Sequence, residues 1–521
     1  MKLINAEEAS KLIRDNDRLG VSNFVSLSLP EDIFVSLEER FLKEGHPKNL
    51  SVMHVSGVGN FDSMGLSHLA HDGMVKRVYG AHEHPAPKIL PMLDDGRIEA
   101  YLVPQGVCCH LLRAMAGGED GLLTKIGLNT YADPRQDGCR MNASCTEDVV
   151  ELVNVCGKEL LYYKAQPLDV CILKATFADE EGNIAFDWEP ALLEQREMAE
   201  AVKRNGGTVI VQVHKLVKKG TLDPWKVKIP GAFVDYVVVG RPENTFQSAG
   251  WKEIRPELTG QARIPVESVE PMEFNLRKVA GRRGAMEIRP DTLVNIGIGM
   301  SEAVANVAAE EGLSEQINLA VESGSIGGVP VPGAIGNAYN PIMIMSQPEC
   351  FDMYNGGALD ISFLGSGEVD QEGNVNVTKF GGKVIGPGGF VNISQNTKKV
   401  CFLSTFMVGK VDAELGNGKL SIKKDGKKPK FVKRVEQITF SAKNALENGQ
   451  EILYITERAV FVLTPKGIML TEIAPGVDLQ KDILDKMDFK PQVADEIKIM
   501  DERIFHEEKM GLTISQKEKR T

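Results

Sequence analysis

The chain has 521 residues, 42% of them hydrophobic and 25% charged, with a formal net charge of −12. One hydrophobic core ordinarily serves no more than roughly 250 to 300 residues, so two domains of similar size are expected. The acidic balance argues against binding to a nucleic-acid backbone, and the composition excludes a disordered or fibrous chain.

The opening, MKLINAEEASKLIRDNDRLG, lacks a cationic segment followed by an apolar run and a small-residue cleavage site. No stretch supplies about 18 uninterrupted apolar residues, so a cytoplasmic protein without a membrane partner is expected. A strand from Asp17 to Val21 leads to a helix, SLPEDIFVSLEERFLKEG, opened by Pro30 and stopped near Gly45. His82 and His84 share one face of an extended segment, but Pro85 follows and no third ligand is evident, so no metal site is expected. The eight cysteines show no paired CxxC units, and Cys108-Cys109 sits in the helical pattern VCCHLLRAM; they read as reduced, structural thiols.

LDVCILKATFADEEGNIAFD from Leu168 and LDISFLGSGEVDQEGNVNVT from Leu359 align without a gap. Leu168, Asp169, Leu173, Asp179, Glu181, Gly182 and Asn183 recur as Leu359, Asp360, Leu364, Asp370, Glu372, Gly373 and Asn374. Such self-similarity reads as an internal duplication. Each copy predicts a strand, a Gly-Asn turn and a second strand. A weaker echo sets Asp17-Arg18-Leu19-Gly20-Val21 against Asp291-Thr292-Leu293-Val294-Asn295, each followed by a helix, the second led by Ser301. Continuous apolar runs at Thr208 to Val213, Phe233 to Val239 and Lys399 to Ser404 alternate with helical patterns, which predicts α/β layers with largely parallel sheets. The polar, proline-rich stretch from Arg241 to Pro271 reads as a connection. The expected organisation is two similar open α/β domains, 1–271 with a linker from about 241 and 272–521, with the site in the cleft between them.

Three segments of the second half carry chemistry. Gly297-Ile298-Gly299-Met300-Ser301 lies between a strand and a helix N-terminus, where free N–H groups favour an anion. Glu302 stands where a dinucleotide fingerprint needs its third glycine, so no nicotinamide cofactor is expected. The strand Ile317 to Val321 runs straight into Glu322-Ser323-Gly324, which fixes a carboxylate where strand becomes glycine-rich loop. Gly386-Pro387-Gly388-Gly389-Phe390 offers closely spaced backbone N–H groups suited to an oxyanion. The basic run from Lys423 to Arg434 reads as a solvated hairpin or loop, and Glu457-Arg458 as an ion pair, either structural or bordering the site.

VESGSIGGVP around Glu322, GGALDISFLGSGEVDQEGNVNV from Gly356, GPGGF from Gly386, YITERAVF from Tyr454 and EIAPGVDLQKDILDKMDF from Glu472 form one ordered set. PQG from Pro104, DPRQ from Asp133 and KIPGAFVDYVVV from Lys228 extend it through the first half. Together they resemble the family I CoA-transferases, particularly the acetate and propionate CoA-transferases, over nearly the whole chain. The resemblance implies that Glu322 attacks an acyl-CoA thioester, forms an acyl-glutamyl anhydride and then a glutamyl-CoA thioester, and returns CoA to an incoming short-chain carboxylate. It implies no metal and no permanently bound cofactor, coenzyme A being substrate and covalent intermediate, and a homotetramer. Gly388 and Gly389 would donate amides to the oxyanion or the CoA end, Gln105 would donate from the first half to the substrate carboxylate or the oxyanion, and Gly297, Ile298, Gly299, Met300, Ser301 and Gly386 would line the coenzyme channel. A glutamate of ordinary pKa, near 4.3, would be ionised at neutral pH without a helper base. Where relatives often show glycine after the first strand, this chain has Ser22-Asn23-Phe24-Val25-Ser26, which bears on the acyl pocket. An acyl-CoA hydrolase and a non-catalytic ligand-binding regulator are the alternatives.

Overall fold

Two twisted sheets, one from each half of the chain, frame the protein in a computed structural model that describes residues 1–513 apart from 250, 252, 266–270 and 332–334. The first sheet runs in the order Lys2–Ile4, Tyr236–Val239, Thr208–Val217, Val170–Asp179, Arg18–Val21, Leu50–His54, Val75–Gly80, Glu99–Leu102, every neighbouring pair parallel. The second runs Asn318–Leu319, Leu293–Ile296, Ile361–Gly365, Lys399–Leu403, Glu451–Ile455 in parallel. Ala459–Thr464 and Gly467–Ile473 then add antiparallel, and Gln492–Ile499 parallel to the last of these. The runs at Thr208 to Val213 and Lys399 to Ser404 are buried strands, as helix-covered parallel sheets require, whereas in Phe233 to Val239 the strand begins only at Tyr236 and Val239 is exposed. The open α/β architecture is therefore as expected, with an antiparallel extension that begins at the turn closed by Thr456 N–H to Ala459 O and continues through the tight turn at Gly467, whose φ of 97° suits glycine.

Helix Glu31–Glu44 follows Pro30 and stops at Gly45, which takes a left-handed φ of 72°. Helix Glu302–Glu310 follows Ser301, but the Ser301 hydroxyl does not cap it; it donates to the Gly297 carbonyl at 2.8 Å.

The duplication is physical. Asp179 accepts from the backbone N–H groups of Glu181 and Asn183 and from the Asn183 side chain, each at 2.9 Å. Asp370 accepts from Glu372, Asn374 and the Asn374 side chain at 3.0, 2.9 and 3.1 Å. Behind each unit, Asp169 accepts from the Arg18 N–H and Asp360 from the Leu293 N–H, both at 2.9 Å. Leu19 pairs with Val170 and Val294 with Ile361, so Leu19 corresponds to Val294. The weaker alignment of Leu19 with Leu293 is thus one residue out of register; five residues of faint similarity cannot fix a register that burial decides.

The helices at the seam join the halves into one hydrophobic core. Gly106 N–H donates to Asn392 at 3.0 Å, and Gly127 N–H to Gln395 at 2.8 Å. The stretch read as a connection is pinned down: buried Gln247 donates to the Trp188 carbonyl at 2.8 Å and accepts from Arg255 at 2.9 Å. The expected boundary at 271 adjoins residues 266–270, which lie outside the described residues. Glu457 and Arg458 do pair, at 2.7 Å, and Arg458 grips Asp425 with two bonds of 2.9 Å. Both are buried away from the cleft, where they tie the Lys419–Lys424 strand of the basic hairpin to the sheet, so the pair is structural.

Candidate active site

Glu322 stands three residues beyond the edge strand Asn318–Leu319, at the head of a tight turn closed by Val321 N–H to Ser325 O at 2.8 Å and Gly324 N–H to Val321 O at 2.9 Å. Gly324 has a φ of 107°, and a side chain there would strike the Met345 carbonyl. The stem of the turn is held on both sides: Gln347 donates to the Glu322 carbonyl at 3.2 Å, and the Ser323 hydroxyl to the Gly336 carbonyl at 2.6 Å. The carboxylate itself is half-buried and accepts no hydrogen bond from the described residues. Desolvation without compensation raises its pKa to about 7. The expectation of an ordinary carboxylate, ionised throughout the neutral range, is corrected accordingly: burial sets the charge of this group.

The glycine loop meets it directly. A Cβ on Gly389 would overlap Glu322 Oε2, so only glycine lets this backbone approach the carboxylate. The first half clamps the loop, since Gly388 N–H donates to Ala81 O at 2.9 Å, Gln105 N–H to Gly388 O at 3.2 Å, and Glu83 N–H to Ile385 O at 3.0 Å. The Gly388 amide is therefore already spent on Ala81, against the expectation that it serves an oxyanion. Gly389 N–H donates to no described residue, and the buried Gln105 amide nitrogen is likewise unpartnered. A buried donor left unmade costs roughly 1 to 3 kcal/mol, which a bound oxyanion would recover.

A cavity of about 630 Å³ opens beside these groups, lined from both halves. Of the candidate site residues, Gln105, Gly297, Ile298, Met300, Glu322, Gly386, Gly388 and Gly389 line it; Gly299 and Ser301 do not. Gly299 faces open space at a φ of 85°, and Ser301 is buried beneath the chain. At that helix N-terminus Arg277 pairs with Glu302 at 2.5 Å and also donates to the Gly299 carbonyl, so the positive end of the helix already has a carboxylate.

The first-half wall is Phe24, Val25, Ser56, Phe61 and His82; Phe24 and Val25 belong to the stretch that the resemblance set against the acyl pocket, whereas sequence reasoning missed Ser56 and Phe61. Val25 and Phe61 have φ values of 55° and 63°, which no sequence pattern announces in non-glycine residues. His82, weighed only as a metal ligand, faces the cavity, its pKa lowered to about 4 by burial and by the neighbouring His84. Behind it lies a buried polar group: His54 contacts Glu83 at 2.7 Å and Ser56 O at 2.6 Å. Nearby Glu194 is pushed up to about 8 by burial, which keeps it protonated at neutral pH.

A family model described as coenzyme A transferase matches residues 3–240. The chain is 42% identical over 518 residues to the caffeate CoA-transferase of Acetobacterium woodii, covering 98% of each. It is 41% identical over 514 residues to the acetate CoA-transferase YdiF of Escherichia coli K12, covering 98% of this chain and 96% of the other. The chain belongs to the coenzyme A transferase family. Among solved structures, the acyl-CoA transferase YdiF apoenzyme from E. coli O157:H7 superposes with a TM-score of 0.94 at 40% identity, covering 99% of this chain and 98% of that one. Its thioester complex with CoA gives 0.92 at 39% identity, with the same coverage. As a CoA-transferase, this enzyme handles CoA as substrate, and the thioester complex of its relative fits a covalent intermediate. Among the described residues, no helix is long and apolar enough to cross a membrane.

Proposed function

We propose that the protein is a short-chain acyl-CoA:carboxylate CoA-transferase of the acetate and propionate type, with Glu322 as the residue that carries CoA. The carboxylate attacks the thioester carbonyl; the C–S bond breaks and CoA leaves as thiolate. The thiolate then attacks the glutamyl carbonyl of the anhydride, and the original acid departs as carboxylate. An incoming carboxylate runs both steps in reverse, so atoms and charge balance without metal, ATP or redox cofactor. The observation that carries this reading is the contact between Glu322 and Gly389 at the cavity, a nucleophile lying against an unpaired amide.

Gly389 N–H, with Gln105 Nε2 from the other lobe, is the donor pair proposed for the tetrahedral oxyanions. Gly297, Ile298, Met300 and Gly386 line the arm of coenzyme A. Arg277 is the one Arg or Lys among the described lining residues, and it is occupied by Glu302, which supports acids with a single carboxylate. The two lobes are taken as domains 1–271 and 272–521, in a cytoplasmic homotetramer.

The test is incubation with acetyl-CoA and no acceptor acid, followed by peptide mass analysis. A CoA adduct on the Glu322 peptide, sensitive to borohydride and absent in Glu322→Ala, is expected. Steady release of free CoA with no adduct would mark a hydrolase instead, and no reaction at all a binding protein.

A further inference from the structure

Coenzyme A is far larger than a short acyl group, so the two ends of the cavity are not equivalent. Among the lining residues Ile298, 51% exposed, stands open to solvent next to Gly299, whose carbonyl holds Arg277 of the Arg277–Glu302 pair. Phe24 and Val25, 2% and 7% exposed, form a closed part of the wall, with Ile335 packed against them. The coenzyme's long arm needs an open path such as that beside Ile298, which leaves the closed wall at Phe24 to the short acyl tail.

We propose, resting on the transferase reading above, that Phe24 is the specificity-determining residue that closes the acyl end and sets the length of chain accepted. Its ring lies against Gly336 and clusters with Val25, Leu27 and Ile335. Gly336, at a φ of 81°, has no room for a side chain, since a Cβ there would come within 2.5 Å of the Phe24 ring. The carbonyl of that same Gly336 accepts the Ser323 hydroxyl, next to the nucleophile, so ring and carboxylate are referenced to one backbone segment.

The loop carrying the ring is fixed independently. Val25, β-branched and at a φ of 55°, is held there by its N–H to Gly57 O at 2.8 Å and by Asn23 Nδ2 to its carbonyl at 2.6 Å. Phe24 N–H and Leu27 N–H exchange bonds with each other's carbonyls at 3.1 and 2.9 Å. A β-branched residue persists in that region only when its surroundings over-determine it, and such positions cluster at ligand sites. Asn23 is thus the brace and Phe24 the stop.

The test is kcat/KM for acetyl-, propionyl-, butyryl-, pentanoyl- and hexanoyl-CoA in the wild type and in Phe24→Ala. One methylene admitted to or refused by an apolar pocket is worth roughly 10- to 200-fold. Phe24→Ala is therefore expected to raise the hexanoyl-to-acetyl ratio by on the order of 100-fold, and Phe24→Trp to lower it. Equal loss on all five substrates, or an unchanged ratio, overturns the proposal. Should Phe24→Ala not fold, Phe24→Leu and Ile335→Ala read the same ratio. Wild-type adduct formation at Glu322 is measured alongside: its absence sinks the transferase reading, whereas its presence with an unmoved ratio sinks only the role of Phe24.

Discussion

Lowering the pH from 9 to 6 tests the electrostatics of Glu322 most directly. Its pKa of about 7 leaves roughly one molecule in eleven ionised at pH 6, against nearly all for a carboxylate near 4.3. The rate constant for CoA transfer onto the enzyme at low acetyl-CoA, which reports the free protein, is therefore expected to fall about tenfold between the plateau and pH 6. Rapid-quench mass analysis of the adduct measures it. The same shift has a stability consequence of fixed sign. A carboxyl whose folded pKa is raised contributes stability that is complete below its unfolded value, 4.5, and is lost as pH rises through about 7. Glu322→Gln should thus melt higher than wild type at pH 8 and close to it at pH 4.5. The gain is at most about 3 kcal/mol, and about 1 to 2 once partial solvent access is counted. A rate flat from pH 5.5 to 9, together with equal melting of the two proteins at pH 8, would refute a desolvated nucleophile.

Gly389→Ala places a methyl group on Glu322 Oε2, and displacing a nucleophile by about 1 Å costs on the order of 100-fold; kcat should drop by that much while melting barely moves. Gln105→Leu removes an amide nitrogen that has no partner in the free protein, so stability should hold while kcat falls roughly 100-fold, read by steady-state assay. Asp179→Ala deletes an acceptor of three hydrogen bonds from its own turn and should cost about 2 to 4 kcal/mol in urea unfolding, without changing the chain-length profile.

Much of the chemistry was legible along the chain because it is local. A strand running into Glu322, a glycine loop at Gly386 to Gly389 and a repeated Gly-Asn turn are contiguous patterns, and the duplicated turns show how far such patterns reach. They also show where that reach ends. Asp179 and Asp370 open the same x-Glu-Gly-Asn turn and accept matching bonds from its Glu and Asn, yet their pKa values shift in opposite directions. At Asp179 desolvation is outweighed by the donors from Asn183, Glu181 and Gly182; at the more deeply placed Asp370 desolvation prevails.

The first-half wall belonged to the second category. The resemblance pointed to the stretch holding Phe24 and Val25, but how they, Phe61 and His82 meet the cavity comes from backbone torsions and from partners hundreds of residues away, such as Gly336 and Gly386.

By itself the sequence determined the parallel α/β layers, the duplication and the placing of a glutamate where strand becomes glycine-rich loop, since hydrophobic period and turn chemistry act over neighbouring residues. Only the tertiary structure decided the charge state of Glu322, the diversion of the Gly388 amide to Ala81 and the closure of the cavity by Phe24. Desolvation, competition for a donor and steric contact depend on distances between segments that covalent order leaves free.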